Sequence, residues 1–550
     1  MRIKQETIDA VQKETGCEVL SDKETLDTFS KDTSLFKVEP SAVCFPKNVE
    51  EIKKIVRSVV AHKAQEPHLS ITGRSGGSDM TGGPLTTGLV LSMTEHLNHF
   101  SIDKNKKEAI VEPGVFYRDF EKETEPLGLV YPAFPASRGL CAWGGMVMNN
   151  AAGEKTLRYG QTREHVRSVS MVLADGNEYN FGPLDEEAMK QKMREQTFEG
   201  DIYRRMHELV TTNYDAIEAA TPRVTKNSSG YALARVWDKK KKIFDLSQLF
   251  VGSQGTLGIM TKAKVGLVEE APHKTLIALF LPNWNKLPDL VNKLLPFEPE
   301  SLETFDDATM KLGIRFMPEI ARKVGVNFFS FALKFLPEAL ISIRMFGIPK
   351  LVMLVELAEK EKDELIAKQE KIEHMLRESR VNFRTLTAET EQDKYWVMRR
   401  ESFNLLRQKV KGKRTAPFVE DFCVAPRHIP EFLPELLAIL KGAGIKANIA
   451  GHAGNGNFHI IPLMDLTDPH ERAKIVPVAD RVYDLVIAYE GSITAEHNDG
   501  IIRTPYVKKQ YGERVYKLFE ETKNIFDPQN IFNPGKKVGG TKEDIEKYLA

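Results

Sequence analysis

Cysteine is scarce in this sequence, with four residues among 550. Cys17, Cys44, Cys141 and Cys423 are widely separated, and no two of them form a Cys-x-x-Cys pair. Disulfide frameworks, zinc knuckles and cysteine-ligated iron–sulfur clusters all need cysteines at short, regular spacing. The sequence therefore argues against all three.

The chain also lacks an excess of charge of either sign, because Lys plus Arg and Asp plus Glu both number 77. Nucleic-acid-binding proteins usually carry a basic excess, so no nucleic-acid partner is expected. No apolar run is long enough to span a membrane. Residues 1–16 have the pattern of a polar amphipathic helix and not of a secretory signal, so we expect a cytoplasmic location.

Glycine is concentrated in a few places. Residues 71–84 contain five glycines, too many for the interior of a helix or a strand. This stretch matches neither a phosphate-binding P-loop nor a Gly-x-Gly-x-x-Gly turn. Taken alone, it fits a surface loop as well as it fits a cradle for an anion, whose backbone N–H groups would face the ligand.

The neighbouring residues favour the anion cradle. Residues 42–45, 68–72 and 88–92 have the pattern of strands, and residues 48–61 that of an amphipathic helix capped by Asn48. The glycine loop then follows the carboxyl end of a strand. Ligands of α/β sheets bind at that edge.

Further runs of glycine and small residues occur at 143–153, 226–231 and 251–259. Each lies beside a predicted strand. For residues 143–153, a tightly packed turn remains an alternative. Several such segments indicate one long ligand that is contacted many times, and a dinucleotide fits this better than a single phosphate.

These motifs, in this order and spacing, resemble the FAD-binding domain of the vanillyl-alcohol oxidase/p-cresol methylhydroxylase superfamily over about residues 35–270. The resemblance implies an α+β FAD-binding domain of two subdomains within residues 1–270. Some members attach FAD covalently to a histidine where this chain has Ser78, so non-covalent FAD is expected. The cofactor-binding residues that the resemblance implies are Arg74, Ser75, Gly76, Gly77, Ser78, Asp79, Pro135, Gly144, Gly145, Asn150, Gly153, Gly258, Ile259 and Asn533.

The character of the sequence changes near residue 271. Strands are predicted at 275–281 and 350–357, and a charged helix at 361–379, which indicates a second domain over residues 271–490. Within it, residues 311–350 mix basic and aromatic side chains. Such a mixture fits a peripheral contact with the inner face of the membrane. It also fits helices that cover the site or form a homodimer contact.

The residues with the most specific chemistry follow at 448–462. His452 and His459 flank glycines that permit a tight turn, so both imidazoles can reach one point. Single histidines in strands are usually structural, and for this pair a metal site and a structural role are equally open. A third ligand is offered by Glu496, in a segment predicted to be a strand that ends in a glycine loop. Two histidines and a carboxylate suit Zn²⁺, Mn²⁺ or Fe²⁺.

A metal at this place would hold the hydroxyl and carboxylate oxygens of a 2-hydroxy acid and lower the pKa of the hydroxyl. His497, next to Glu496, is a candidate general base, because the ordinary pKa of histidine is about 6.5. Hydride from the α-carbon would then pass to flavin N5, since the electron chemistry belongs to the cofactor.

Val419-Glu420-Asp421, Gly451-His452 through His459, Glu496-His497 and Asp527-Pro528 resemble, in order, the FAD-linked 2-hydroxy-acid oxidoreductases. That family includes D-lactate dehydrogenases, the glycolate oxidase flavin subunit and D-2-hydroxyglutarate dehydrogenase. The resemblance implies a cap domain with an antiparallel, ferredoxin-like sheet and a C-terminal segment, 491–550, that completes the active site and packs on the FAD domain. The site residues it implies are the metal ligands His452, His459 and Glu496, the base His497, the substrate contact Arg400 with Arg399 as competitor, and Asn457 as a substrate or metal-shell contact.

The expected function is FAD-dependent oxidation, by a dehydrogenase or oxidase, of a D-2-hydroxy acid such as D-lactate. Electrons would pass to a quinone, an electron-transfer flavoprotein or an iron–sulfur partner. The alternatives are a transferase similar to alkyl-dihydroxyacetone-phosphate synthase, or a flavin-binding, membrane-associated protein without chemistry. The histidine and glutamate set weighs against both. The unusual loop after His497, Asn-Asp-Gly, leaves the particular hydroxy acid undecided.

Overall fold

The computed structural model describes residues 2–323, 335, 338, 341, 343, 345, 347–409 and 414–550, without the side chains of 320, 323 and 401–409. Within these ranges, no helix combines the length and the apolar character needed to cross a membrane. Eighteen of the 40 residues in the basic and aromatic segment 311–350 lie outside the described residues. Its role in a membrane or dimer contact therefore stays a prediction.

The chain begins with a four-stranded sheet in the order β1-β2-β4-β3. β2, β4 and β3 are parallel, and β1 is antiparallel to β2. Asn48 caps α3 by accepting a hydrogen bond from the Glu51 N–H, as predicted. The strand expected at 68–72 starts later, because residues 66–69 form a turn after α3. The elements are α1 (Gln5–Thr15), β1 (Glu18–Leu20), α2 (Lys23–Phe29), β2 (Ala42–Phe45), α3 (Val49–His62), β3 (Ile71–Arg74) and β4 (Leu89–Ser92).

A second, fully antiparallel sheet follows in the order β5-β6-β13-β8-β9. Strands and helices of this part are β5 (Phe100–Asp103), β6 (Glu108–Val111), α4 (Tyr117–Thr124), β7 (Leu129–Val130), α5 (Trp143–Asn149), α6 (Thr156–Tyr159), α7 (Thr162–His165), β8 (Val166–Val172), β9 (Glu178–Phe181), β10 (Pro183–Leu184), α8 (Glu186–Arg194), α9 (Phe198–Thr212), α10 (Tyr214–Ala220), β11 (Trp237–Asp238), β12 (Ile243–Asp245), α11 (Ser247–Phe250), β13 (Ile259–Gly266) and β14 (Val268–Glu269).

The first seven residues of the glycine run at 143–153 form a helix, α5, where a packed turn was one of the alternatives. Its glycines serve close packing: a Cβ on Gly144 would lie 2.8 Å from the Cβ of Pro113 and would also collide with the Ser75 hydroxyl. The missing side chain lets α5 approach the first glycine loop.

The third sheet is antiparallel and belongs to the second domain, in the order β18-β15-β17-β16-β21-β22-β19, with β20 paired to β22. Its first four strands have the order 4-1-3-2 of a ferredoxin-like sheet, as expected. The elements are β15 (His273–Leu281), α12 (Leu287–Leu294), β16 (Ser301–Asp306), α13 (Asp307–Arg315), α14 (Met317–Lys323), β17 (Leu351–Glu359), α15 (Lys362–Glu378), β18 (Asn382–Leu386), α16 (Glu389–Lys409), β19 (Arg414–Thr415), β20 (Phe422–Cys423), α17 (Ile429–Gly442), β21 (Ala447–His452), β22 (Asn457–Met464), α18 (Pro469–Arg472) and α19 (Ile475–Ala488).

The C-terminal residues return to the FAD-binding part of the chain. Helix α20 (Gly500–Phe526) is interrupted at Gly512, whose φ of 75° is not helical, and it packs against α9 and α10. The chain then runs beside β3, where Ile71 exchanges backbone hydrogen bonds of 2.8 and 2.9 Å with Ile531 and Asn533. The last helix is α21 (Lys542–Tyr548).

Candidate active site

A cavity of about 900 Å³ extends from the first glycine loop to the histidine-rich hairpin of the second domain. Both ends are therefore parts of one space. Of the predicted cofactor-binding residues, ten line it: Ser75, Gly76, Gly77, Ser78, Asp79, Pro135, Gly144, Gly145, Gly258 and Ile259. At the opposite end the lining includes Arg399, Arg400, His452, His459, Glu496 and His497.

Four predicted cofactor residues lie behind the cavity wall. The Arg74 guanidinium donates to the carbonyls of Phe29 and Lys31 and stacks over the Phe29 ring, so it holds the N-terminal segment against the loop. Gly153 has no room for a side chain beside Phe134. Asn150 binds the Arg163 N–H and the Ser228 hydroxyl, and Asn533 donates to Gly83 and Gln254 carbonyls.

The hairpin β21–β22 places the two predicted histidine ligands side by side. His459 pairs with Ala450 and His452 with Asn457, so the two histidines are diagonal neighbours on adjacent strands. Their ring centroids are 5.3 Å apart. The turn needs glycine at 456, where φ is 68° and an added Cβ would overlap the Val424 carbonyl oxygen.

Three imidazoles converge on one carboxylate oxygen, Glu496 Oε1. Its distances to the Nε2 atoms are 3.3 Å for His452, 3.2 Å for His459 and 3.7 Å for His497. The rings of His459 and His497 are stacked, with centroids 5.1 Å apart. Glu496 and His497 reach this point on a loop; the strand expected there is reduced to one bridge between Ser492 and Cys423.

The other ring nitrogen of each histidine faces a buried carboxylate. His452 Nδ1 lies 2.6 Å from Glu303 on β16. Glu420 Oε2 lies 2.7 Å from His497 Nδ1 and 3.3 Å from His459 Nδ1. Carboxylates in this position fix the orientation of an imidazole and direct its Nε2 lone pair the other way.

Asp421 organises the backbone of the loop that carries Glu496 and His497. Its carboxylate accepts from the backbone N–H groups of both residues, over 3.0 and 2.7 Å, and from the Thr494 hydroxyl over 2.6 Å. These bonds replace the ladder that a strand would have supplied, which explains why the predicted strand does not form.

The carboxylate of Glu496 is also held from the opposite side. Lys226, fully buried, donates to Glu496 Oε2 over 3.1 Å and to Asn457 Oδ1 over 3.4 Å. Asn457 in turn donates to the Phe422 carbonyl over 3.0 Å. Asn457 therefore lies behind Glu496 and outside the cavity lining, as part of the support of the site.

These charges shift the pKa values of the site in opposite directions. Burial would raise the pKa of both Glu420 and Glu496, but neighbouring groups hold each pKa well below its usual range: His497 and Arg503 beside Glu420, and Lys226 and the His452 imidazole beside Glu496. Burial would lower the pKa of His497, yet Glu420 and Asp421 raise it to about 10. Both carboxylates are thus held in the ionised form, in which their oxygens can accept hydrogen bonds or bind a cation.

The two adjacent arginines have different partners. Arg399 is buried and pairs with Glu303, the carboxylate that holds His452. Arg400 pairs with Glu154 of the FAD-binding part through Nε and Nη2, while its guanidinium also lines the cavity. Both arginines line the cavity, and the side chain of Arg400 is the more exposed of the two.

The donor set fits a divalent cation. One ligand atom each from His452, His459 and Glu496 lie within 4.8 Å of one another. A second group, formed by Glu420, Asp421, His459 and His497, meets the same distance limit. It fits a cation less well, because Asp421 is already saturated by N–H and O–H donors. The first group matches the predicted ligands.

Several of these residues have roles that the sequence did not reveal. Glu303, Glu154 and Lys226 were not among the predicted site residues, and Glu420 was noted only as part of a family motif. One local signal existed for Glu303: it is a charged residue in the middle of β16, a strand that is buried on both faces. For Lys226 and Glu154 no such signal is present, since both lie in irregular segments.

Two known protein families match parts of the chain. The FAD binding domain matches residues 40–182, and the C-terminal domain of FAD linked oxidases matches residues 270–537. Among curated relatives, the D-2-hydroxyglutarate dehydrogenase of Pseudomonas putida is 28% identical over 525 residues, which cover 94% of this chain and 50% of that one. The chain thus spans about half the length of that relative. The D-lactate dehydrogenase of Archaeoglobus fulgidus is 26% identical, in a match that covers 91% of this chain and 92% of that protein.

Solved structures show the same fold. p-Cresol methylhydroxylase with substrate bound superposes with a TM-score of 0.67 at 16% identity, covering 98% of each chain. An alkyldihydroxyacetonephosphate synthase gives a TM-score of 0.65 at 15% identity, covering 97% of this chain and 86% of that one. The expected fold, an α+β FAD-binding domain of the p-cresol methylhydroxylase type joined to an α+β cap, is confirmed. The two domain matches and this fold show that the chain belongs to the FAD-linked oxidase family and carries an FAD-binding domain.

Proposed function

We propose that the chain oxidises a D-2-hydroxy acid to the corresponding 2-oxo acid, with FAD as the electron acceptor. The observation that carries this is the convergence of three imidazole Nε2 atoms on Glu496 Oε1 at one end of the FAD cavity. The relatives support the substrate class, since they are D-2-hydroxyglutarate and D-lactate dehydrogenases.

Arg400 is the residue proposed to bind the substrate carboxylate. A guanidinium has two edges that can each form a pair of parallel hydrogen bonds. Glu154 occupies the edge formed by Nε and Nη2, and among the described residues no carboxylate pairs with the end formed by Nη1 and Nη2, which could bind a second carboxylate. Glu154 thereby orients Arg400 instead of merely neutralising it.

His497 is the residue proposed to accept the hydroxyl proton. Its Nδ1 is held by Glu420, so the proton is accepted at Nε2, the atom that faces Glu496 and the cavity. With no cation bound, the pKa of about 10 that Glu420 and Asp421 give His497 keeps its imidazole protonated at neutral pH. Positive charge at the neighbouring ligands is needed to lower it.

FAD and a divalent ion would supply chemistry that the side chains cannot. FAD would take up the hydride equivalent from the α-carbon. A divalent ion (Zn²⁺, Mn²⁺ or Fe²⁺) held by His452, His459 and Glu496 would polarise the hydroxyl and counteract the carboxylates that raise the pKa of His497. The chain's own residues then position the substrate, orient the imidazoles and accept the proton.

Reoxidation requires an external acceptor, for which a quinone, an electron-transfer flavoprotein or an iron–sulfur protein is proposed. All four cysteines are free and buried, at four separate places in the chain. Any iron–sulfur relay therefore lies outside these 550 residues. A homodimer and a peripheral membrane contact through 311–350 remain proposals from the sequence.

The test is anaerobic mixing of the purified flavoprotein with a panel of D- and L-2-hydroxy acids, with mono- and dicarboxylates in each set. We expect the visible flavin absorption to be lost with at least one D-acid. If no acid reduces the flavin, the proposal is wrong, and the transferase alternative gains weight, since a redox-neutral exchange leaves no reduced flavin.

A further inference from the structure

Glu420 contacts two histidines that were assigned different tasks. Its Oε2 atom lies within hydrogen-bond distance of the Nδ1 atoms of His497, at 2.7 Å, and His459, at 3.3 Å. One oxygen of a carboxylate can accept two hydrogen bonds, because it has two lone pairs. The metal ligand and the base are therefore oriented by the same atom.

The other oxygen of Glu420 faces Arg503. Arg503 Nη2 donates to Oε1 over 2.6 Å and to the Glu420 backbone carbonyl over 2.5 Å, while Nη1 donates to the Asn498 carbonyl over 3.0 Å. Both side chains are fully buried. A guanidinium can only donate, so whatever atom occupies the Oε1 position must be an acceptor.

The backbone after Glu420 separates two adjacent carboxylates. Asp421 has a φ of 69°, a left-handed conformation that is uncommon and unfavourable for a residue other than glycine. It lets Glu420 face the imidazoles while Asp421 binds the N–H groups of the loop that carries His497. A single carboxylate on one side of an extended strand could not both orient the imidazoles and bind the N–H groups of that loop.

We propose that Glu420, locked by Arg503, is a positioning residue that keeps the proton of both His459 and His497 on Nδ1. Both Nε2 lone pairs then face Glu496, where one binds a cation and the other accepts the hydroxyl proton. This inference rests on the proposed function, because it assumes those two tasks. It assigns Glu420 no contact with substrate.

The arrangement gives Glu420→Gln an unusual consequence. Arg503 requires an acceptor at the Oε1 position, so the amide oxygen must take that place and the NH₂ group must face the histidines. That NH₂ donates to Nδ1 and forces the proton of each imidazole onto Nε2, where it blocks both tasks. Such a tautomer change lowers kcat by roughly 10⁴-fold in serine proteases. If Glu420 had a purely structural role, Glu420→Gln would not move the imidazole protons from Nδ1 to Nε2.

A second substitution should reverse this effect. In Glu420→Gln combined with Arg503→Met, the buried pair is neutral and of similar size, and the amide is free to turn its oxygen towards the histidines. The double variant should therefore bind metal better than the single variant, although it has lost one more native side chain. Damage to packing alone predicts the opposite order.

The experiment measures Mn²⁺ and Zn²⁺ binding to the purified flavoprotein by calorimetry. We expect affinity to fall roughly 10- to 100-fold in Glu420→Gln, as for other residues that support metal ligands, and to recover by about tenfold in the double variant. Glu199→Gln, which alters a buried carboxylate paired with Lys192 in the FAD-binding part, should leave it unchanged. Unchanged affinity in Glu420→Gln, or a double variant no better than the single one, would overturn the proposal.

Nuclear magnetic resonance of wild-type protein with ¹⁵N-labelled histidine gives a readout that does not depend on the folding of variants. The expected spectrum shows protonated Nδ1 and unprotonated Nε2 for His459 and His497 in the metal-loaded protein. Protonated Nε2 in either residue would overturn the proposal. If the wild type binds no divalent metal, the proposed metal site and this proposal both fail, while reduction of the flavin by a 2-hydroxy acid still tests the proposed oxidation.

Discussion

Lys226 and Glu496 lie 270 positions apart in the chain, and their side chains form a fully buried ion pair with an Nζ to Oε2 distance of 3.1 Å. Lys226 belongs to the FAD-binding part and Glu496 to the C-terminal segment. The pair therefore joins the two halves of the active site. It also leaves only Oε1 of Glu496 to face the three histidines.

Replacement of Lys226 with Met should lower the stability of the metal-free protein. Breaking a buried ion pair on one side leaves an uncompensated charge, which costs roughly 3–5 kcal/mol. Urea unfolding in the presence of a chelator measures this, and added metal should recover part of the loss. Lys190→Met breaks an exposed pair with Glu186 and is the matched control, with little expected change in stability. Equal effects of the two substitutions would contradict the account.

Conservative changes of the two adjacent arginines should have distinct effects. Arg400→Lys removes the forked donor proposed for the substrate carboxylate, so KM should rise roughly 10- to 100-fold while bound metal is unchanged. Arg399→Lys loosens the Glu303 carboxylate that holds His452, so bound metal should fall. Steady-state kinetics and elemental analysis distinguish them. If Arg399→Lys alone raised KM, the substrate role would belong to Arg399.

The combined variant His452→Ala and His459→Ala should lose the bound metal and keep the flavin. The two imidazoles supply two of the three ligands, and a lone carboxylate holds a transition metal weakly. Elemental analysis and the visible absorption of the purified protein report the two quantities. His374→Ala, at an exposed site on α15, is the control. Unchanged metal content in the combined variant would remove the metal site from the account.

FAD should be released intact when the protein is denatured by acid or heat. The position that carries the flavin-linked histidine in some relatives is Ser78, which lines the cavity and has no side chain suited to that bond. Centrifugation after acid precipitation measures the outcome. Flavin absorption that remains with the polypeptide pellet would show a covalent bond and contradict the expectation.

The local elements were predictable from the sequence because their signals are local. Residues 42–45 form the expected strand, Asn48 caps the expected helix, and the glycines between His452 and His459 permit the expected hairpin. In each case the pattern, the capping side chain or the turn residue lies within the element that it specifies.

The support of the site was not predictable in the same way. Glu303 and His452 are 149 positions apart, and Glu154 and Arg400 are 246 apart, so no periodicity relates them. The predicted strand near residue 491 failed for a similar reason: the side chain of Asp421, distant in sequence, takes the backbone N–H groups of that loop. Contacts between residues this far apart in sequence form only in the folded protein, so they can be identified only from the three-dimensional structure.

The most direct test of the central claim is anaerobic reduction of the bound flavin by the D- and L-forms of 2-hydroxyglutarate and lactate. The account predicts that the D-form of at least one acid reduces the flavin completely, that one 2-oxo acid forms per flavin, and that the L-forms react far more slowly. Removal of metal should slow the reaction while FAD stays bound. Complete reduction by the L-forms alone, or flavin that stays oxidised with every acid, would contradict the account.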